Sequence, residues 1–439
     1  MNGSSAVCDL LVVGGGMAGL AAAARAAELG ARVVVLEKAD RLGGSAALSA
    51  GILWTAPDVA TLRRLDPGGD LELGAVLVAG FAPAVERIRA TGAFVSERWE
   101  GQMGFGSAVR VDIAALFGAW RERIQRAGGR VLLGSPARRL LAGGGAEVAG
   151  AAAGELRAGA VLLATGGFQG DPALRDELIG APAGSLLVRS APGSTGDGLR
   201  MGREAGAATS AGRGFYGHLV PSPLARWDEA DFLPLTQYHS SHGLLVNRLG
   251  RRFTDESLGD ETSNQAVLRQ PGARAVLLFD ERVRAGAAAS APYPHGRVVD
   301  RVAAAEATGC RLARAGTVAE LVAAVARWGV DRDGLAGSLD GWRAEPPCWA
   351  VEVQPTITFP FGGLAVDGDG RVLGRDGVPV PGLFAAGADA GGVQSARYVG
   401  GLVLGAVFGP RAAEAALSRR SGRLPPGPRP RGSPAPDPD

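Results

Sequence analysis

The sequence predicts an α/β chain built on a doubly wound sheet, and three observations predict it. An apolar run of strand length, Asp9 to Val13, leads directly into glycines at 14, 16 and 19 and then into an alanine-rich stretch. A second strand-like run, Arg32 to Leu36, ends on Glu37. Runs of the same kind return at Ala160–Ala164 and Leu383–Ala386, each closing on glycine.

Gly14, Gly16 and Gly19 meet the G-x-G-x-x-G spacing. The first glycine makes a tight turn, the second lets backbone approach a pyrophosphate, and the third packs helix on strand. The helix expected from about Met17 to Leu29 directs its N-terminal amides at phosphates, and Gly30 stops it. Glu37, about 20 residues past the glycines, is placed to accept hydrogen bonds from a ribose. A strand before, a helix after and an acid in register raise this above a bare glycine-rich turn. A dinucleotide is expected at the head of the sheet.

Lys38 to Gly51 is a loop of small residues. Gly43, Gly44 and Ser45 allow backbone to lie against a flat ring, which Ser45 and Ser49 can hydrogen-bond; an ordinary small-residue loop reads the same way. Residues 57–125 read as helices, clearest at Ala82–Ala90 and Val111–Arg126. Trp99–Gly106 between them reads as irregular, either a pocket wall or a surface loop. Arg130 to Leu163 breaks into short strands, a β-meander feeding Ala160–Ala164 back into the main sheet. That strand ends in Thr165, Gly166 and Gly167, a second place for backbone to meet a cofactor or a plain turn. Ser194–Gly202 leads into a short helix to Gly206, with Asp197 placed to cap it.

The texture changes from about Gly206 to Gly341. This stretch holds all four histidines (His218, His239, His242, His295) and three of the four tyrosines (Tyr216, Tyr238, Tyr293). It reads as an inserted second domain, with its clearest helix at Thr317–Trp328. Strands resume around Trp349, with a hairpin turn at Asp367–Gly370. Gly387, Ala388 and Asp389 stand at the carboxyl end of a central strand, where ligands collect in open α/β sheets. Gly400–Leu417 is a final helix, and the Pro/Gly/Arg-rich residues 418–439 read as a disordered tail.

Composition excludes several partners. Lys plus Arg is 46 against 44 Asp plus Glu, a formal charge of +2, so neither nucleic acid nor an anionic membrane is expected. The three cysteines, Cys8, Cys310 and Cys348, form no C-x-x-C or metal spacing, which reads as a reducing compartment and no metal. No segment reads as a membrane span, and Asp9 without a basic region before it argues against a signal peptide. A cytoplasmic protein is expected.

With these pieces in order, the chain resembles the flavoprotein subunits of the fumarate reductase and succinate dehydrogenase family, over about residues 8–417. The likeness leans toward the soluble branch that includes 3-ketosteroid dehydrogenases and tricarballylate dehydrogenase. It is carried by VVGGGMAGLAAA, LEKADRLGGSAALSAG, LLATGGF, STGDGLRMG, GLLVNRLGRRFTDE, AVEVQPTITFPFGGL and LFAAGADAGGV followed by YVGGLVLGAVFG. The resemblance implies a Rossmann-like FAD-binding domain in two segments, residues 1–205 and 342–417, with an α+β capping domain at 206–341 inserted between them.

Carried over position by position, the FAD site comprises Gly14, Gly16, Met17, Ala18, Gly19, Glu37 and Lys38 at the ADP half. Gly43, Gly44, Ser45, Gly51, Ala164, Thr165, Gly166 and Asp197 follow near the pyrophosphate and flavin, and Asp389 stands where the family has an acid on the ribityl chain. No histidine precedes residue 218, so the flavin-bonding histidine of the respiratory enzymes is missing and FAD is expected to be noncovalent.

The substrate positions depart from fumarate reductase. His218 falls where those enzymes place a carboxylate-binding histidine. Their proton-donating arginine corresponds to Ser257–Asp260, their second histidine to Phe359 or Pro360, and their last arginine to Tyr398, with Arg397 beside it. A dicarboxylate needs two or more cationic contacts, so fumarate is disfavoured. A tyrosine followed by glycines at that last place is what the ketosteroid dehydrogenases have; their other two catalytic tyrosines have no evident counterpart.

The family chemistry implied is removal or addition of two hydrogens across a C–C bond beside a carbonyl or carboxylate, one as hydride at flavin N5 and one as a proton on a side chain. The carbonyl oxygen must be held as charge develops, and an acid or base must reach the proton. Tyr398 and His218 are the candidates for these two tasks, in either order, with Arg397 as a second oxygen clamp. Plainer roles are open for each: His218 in the domain interface, Tyr398 as lining. Tyr238, His239 and His242 cluster in sequence without metal-ligand spacing. Arg251, Arg252, Asp255 and Glu256 read as an ion-pair network, and His295 as surface. Three readings follow: an FAD-dependent dehydrogenase or reductase of a ketone-like, steroid or polycyclic molecule; a carboxylic-acid oxidoreductase clamping with Arg397 and His218; or a flavin-loaded binding protein. With no second nucleotide motif, the electron partner is expected to be a protein, quinone or oxygen rather than NAD(P)H.

Overall fold

The computed structural model describes residues 7–210, 212–294 and 296–418. His295 and all of the expected tail but Ser418 lie outside them. The main sheet has six strands in the order Arg371–Leu373, Pro379–Ala385, Ala158–Leu163, Cys8–Val13, Val33–Leu36 and Arg130–Leu132. Every neighbouring pair is parallel except the hairpin Arg371–Leu373 with Pro379–Ala385. Val13 stands between Leu36 and Leu163, and Leu163 beside Ala385. The register therefore brings Gly14, Glu37, Ala164 and Ala386 to one edge, where strands of this type deliver ligand-binding loops.

The central strands Cys8–Val13 and Val33–Leu36 are buried on both faces, so their side chains run as continuous apolar stretches rather than alternating. Helix Met17–Glu28 packs against Ile113–Arg126 and most extensively against Leu402–Ser418. The first turn is tight because two glycines meet: a Cβ on Gly19 would lie 1.8 Å from the Gly14 carbonyl oxygen. The expected meander is present as Ala137–Leu140, Ala146–Val148 and Gly154–Leu156. Trp99–Gly106 is not irregular. Trp99–Gln102 and Gly106–Arg110 form a hairpin whose second strand pairs with Ile52–Thr55, since Trp54 and Ala108 bury against one another's strand neighbours.

The second sheet is organised on the ten-residue strand Cys348–Ile357. It pairs in parallel with Leu187–Val188 and antiparallel with Leu219–Pro221, Ala275–Phe279 and Leu312–Ala315, while Leu244–Val246 extends the sheet beyond Ala275–Phe279. Alternation divides its side chains cleanly. Val276, Leu278 and Ala350 join the cluster under helix Val318–Ala326, and Leu277, Phe279, Val351 and Val353 join a second cluster on the other face. Leu187–Val188, before residue 206, and all of Cys348–Ile357, after residue 341, pair within this second sheet.

His239 is buried in the cap with its ring edge-on to Phe279, centroids 4.8 Å apart, and neither ring nitrogen has a hydrogen-bond partner among the described residues. Burial, then Arg301, His242 and Arg284, push its pKa down from 6.5 to about 3. Of the four charged residues at 251–256, Arg252 and Glu256 pair at 2.5 Å, while Asp255 caps the turn at Ser257. Among the described residues no helix is long and apolar enough to cross a membrane, and no group of three metal-ligating side chains forms.

Two outcomes follow for stability. Gly19→Ala forces helix from strand and should lower stability by about 1–3 kcal/mol, whereas Gly118→Ala, with open space around an exposed helical position, should raise it by about 0.4–1 kcal/mol; thermal unfolding of both variants reads the contrast. For His239, the unfolded ring takes a proton below about pH 6.5 and the folded ring only near pH 3, so its stabilising contribution is complete above pH 6.5 and is lost as pH falls through that window. His239→Phe should flatten this acid limb by up to about 1.4 kcal/mol per pH unit, measured by urea unfolding between pH 4 and 7.

Candidate active site

A cavity of about 660 Å³ runs from the glycine turn of the main sheet to the underside of the cap. Its nucleotide end is lined by Gly14, Gly16, Met17, Ala18, Glu37, Lys38, Gly43, Gly44, Ser45, Ala164, Thr165, Gly166 and Asp197, all expected from the sequence. Three other expected residues do not line it. Gly19 serves the helix–strand contact. Gly51 lies where a Cβ would meet the Val111 carbonyl oxygen at 2.2 Å, so it is a packing position. Asp389 is buried and turned inward, its carboxylate accepting from the amides of Thr165 (2.5 Å) and Gly167 (3.1 Å). It shapes the Thr165–Gly167 turn rather than facing the cavity.

The surroundings of the nucleotide end suit a pyrophosphate and ribose. Helix Met17–Glu28 has no side-chain N-cap, which leaves its first amides free for an anion. Gly16 and Gly44 face one another as bare backbone, a Cβ on Gly44 reaching only 3.9 Å from the Gly16 Cα. Glu37 accepts from the amides of Gly15 and Ala39, each at 2.8 Å, one per oxygen, which leaves acceptor capacity on both. Lys38 Nζ donates to Asp197 at 2.7 Å and to Thr195 at 2.9 Å. Asp197 is the first residue of its helix, after Gly196 at the cap position, so its carboxylate orients Lys38 instead of capping. Ser49 is spent within its own loop on the Ala46 carbonyl, and Ser45 Oγ accepts from the Ala191 amide.

The other end is aromatic. All four tyrosines of the chain, Tyr216, Tyr238, Tyr293 and Tyr398, line it, with Trp54, Phe232 and Phe359. Tyr216 and Tyr398 stack with centroids 3.6 Å apart at 14°. Tyr398 Oη accepts from the Gly401 amide at 3.0 Å, and burial pushes its pKa up to about 12. His218 is buried. Its Nε2 and the Tyr216 hydroxyl are hydrogen-bonded at 2.7 Å, and its Nδ1 is bonded to the buried Asp260 carboxylate. Burial lowers the His218 pKa, and Asp260 opposes that shift. Burial also raises Tyr216 well above the ordinary phenol range.

Arg397 is not part of this chamber. Its Nη1 donates to the Leu258 carbonyl and Thr262 hydroxyl, both at 2.6 Å, and Nη2 lies 3.5 Å from Glu261. Tyr398 points in, and its neighbour is pinned outward. Of the alternatives Phe359 and Pro360, it is Phe359 that lines the cavity. Sequence reasoning missed Tyr216, Tyr238, Arg189 and Trp54. Tyr216 was within reach: two residues before His218 in extended chain, it shares the histidine's face. Tyr238, Arg189 and Trp54 carry no such local signal.

Known proteins resemble this chain in sequence and in fold. The family model described as an FAD binding domain matches residues 9–72 and 95–404. The fumarate reductase (cytochrome) of Shewanella frigidimarina is 28% identical over 436 residues, covering 90% of this chain and 74% of that protein. The 4-oxocyclohexanecarboxylate 2-dehydrogenase of Sinomonas cyclohexanicum is 26% identical over 539 residues, covering 92% and 90%. In fold, 3-ketosteroid delta1-dehydrogenase from Sterolibacterium denitrificans superposes with a TM-score of 0.75 at 19% identity, covering 94% of this chain and 99% of that one. With the family model spanning most of the chain and a glycine cradle that fits the nucleotide, the chain belongs to the FAD binding domain family and is an FAD-dependent oxidoreductase acting on carbon–carbon bonds.

Proposed function

We propose that the enzyme forms or reduces a C=C bond conjugated to a ketone, on a ring-bearing, largely apolar small molecule, with FAD held noncovalently. The observation that carries this reading is the convergence of the tyrosines with the His218–Asp260 pair. Bound FAD supplies the hydride acceptor or donor, held by the glycine turn, Glu37 and the 43–45 loop. The protein's own residues supply the rest.

Tyr398 is the oxygen clamp. Its hydroxyl accepts from the Gly401 amide, which orients its own proton toward a carbonyl oxygen. Holding that oxygen makes the adjacent C–H acidic. Tyr216 handles the proton. In a dry site its phenolate is disfavoured, so its proton must leave for His218 Nε2 as the substrate proton arrives; the Asp260 carboxylate holds Nδ1–H and steadies the cation that forms, the arrangement by which a hydroxyl is activated in acyl transfer. In the reductive direction the same chain runs backward. Phe359, in place of a cation, favours an apolar body over a dicarboxylate. The three cysteines are free thiols, in keeping with a reducing, cytoplasmic setting. The electron partner is left as a protein, quinone or oxygen.

Anaerobic addition of cyclic ketones should bleach the flavin band, and dicarboxylates should not; bleaching by dicarboxylates alone would overturn the reading. Tyr398→Phe should slow flavin reduction about 10²–10³-fold and Tyr216→Phe about 10²–10⁴-fold, both with FAD content unchanged. Acid precipitation should release the flavin into the supernatant.

A further inference from the structure

Arg189 lines the aromatic end of the cavity together with Tyr216, His218 and Tyr238. Its base is fixed, because its amide donates to the Ile357 carbonyl at 2.7 Å where Leu187–Val188 joins the cap sheet. Its guanidinium is only loosely held. Nε and Nη2 reach the Phe232 carbonyl at 3.3 Å each, and Nη1 reaches the Thr358 hydroxyl at 3.5 Å. The plane lies 5.6 Å from the Phe232 ring centroid. Among the described residues no carboxylate pairs with it.

Three other cationic side chains near the site are engaged. Lys38 is bound to Asp197, Arg41 to Glu229, and Arg397 to Glu261 outside the cavity. Among the described residues that line the aromatic end, Arg189 is thus the one guanidinium, and it keeps donors in hand out of the five it carries; Arg301 lies over the Tyr238 ring but does not line the cavity. Its charge also reaches the reacting groups, lowering the pKa of Tyr216, His218, Tyr238 and Tyr398 alike. A half-buried cation left without a protein carboxylate, in a chamber otherwise walled by aromatic rings, is matched by a single planar anion.

We propose that Arg189 is a specificity-determining residue that grips one carboxylate on the substrate, so that the enzyme prefers ring-bearing oxo acids to neutral ketones. This rests on the ketone reading above for the other end of the molecule. The carboxylate meets the guanidinium, and the carbonyl is left for Tyr398. A second carboxylate would find Phe359 and the tyrosine rings, which excludes dicarboxylates by the same geometry.

The test uses the FAD-loaded enzyme and two ligands that differ in charge, 4-hydroxybenzoate and 4-hydroxybenzamide, with binding read from perturbation of the flavin spectrum. The wild type should bind the benzoate about 10- to 100-fold more tightly. Arg189→Leu should abolish that preference while keeping FAD and the benzamide affinity, and Arg189→Lys should keep part of it. Equal affinities in the wild type, no perturbation by either ligand, or an undiminished preference in Arg189→Leu would each overturn the assignment. A preference that holds and vanishes in Arg189→Leu supports it even where cyclic ketones, ring-bearing oxo acids included, fail to bleach the flavin, an outcome that removes the ketone reading alone.

Discussion

The contact between the first and last helices of the main domain is the constraint on which the site depends. Leu402–Ser418 crosses Met17–Glu28 backbone to backbone: a Cβ on Gly405 would lie 2.8 Å from the Ala18 amide nitrogen, and one on Gly409 would lie 2.5 Å from the Ala18 carbonyl oxygen. Only small residues permit that approach, and the first helix answers with alanines at 18, 21 and 22. The contact ties the second segment of the chain to the first. It also carries Tyr398 and Gly401, just before the last helix, and Leu402 at its start to the same cavity as the first helix's free N-terminal amides. The nucleotide cradle and Tyr398 are thereby held by one helix pair.

The cap contributes Tyr216, His218 and Asp260, and it does so at an energetic cost that the network must offset. His218 and Asp260 are both buried, and a buried pair of this kind persists only when its hydrogen bonds are made. Here Asp260 takes one ring nitrogen and Tyr216 the other. Behind them, burial and the neighbouring Asp260 push Glu261 up to about pH 7, with Arg397 drawing it back. Arg397 thus faces Glu261, Leu258 and Thr262 rather than the cavity. That division explains why an arginine beside Tyr398 in sequence can be remote from the chamber in space.

What was legible in the sequence was what local spacing encodes. Gly14, Gly16, Gly19 and Glu37 belong to one strand–turn–helix–strand unit, and their roles follow from it. The chamber was harder because it is assembled across the seam between cap and main sheet. Tyr216 stacks on Tyr398 only once the cap has docked, and Arg189 enters the site because Leu187–Val188 joins the cap sheet rather than its own segment's. Asp389 shows a second limit. Its position at a strand end was right, but its side chain was claimed by the Thr165 and Gly167 amides. Spacing locates such a residue; competing donors decide where it points.

The most direct test of the account is the structure of the product. The FAD-loaded enzyme, turned over anaerobically on 4-oxocyclohexanecarboxylate with an artificial electron acceptor, should yield a product whose new C=C bond is conjugated to the ketone, as read by NMR. A double bond conjugated to the carboxylate instead, or oxidation at any other bond, would contradict the placement of the carbonyl at Tyr398 and of the proton relay at Tyr216.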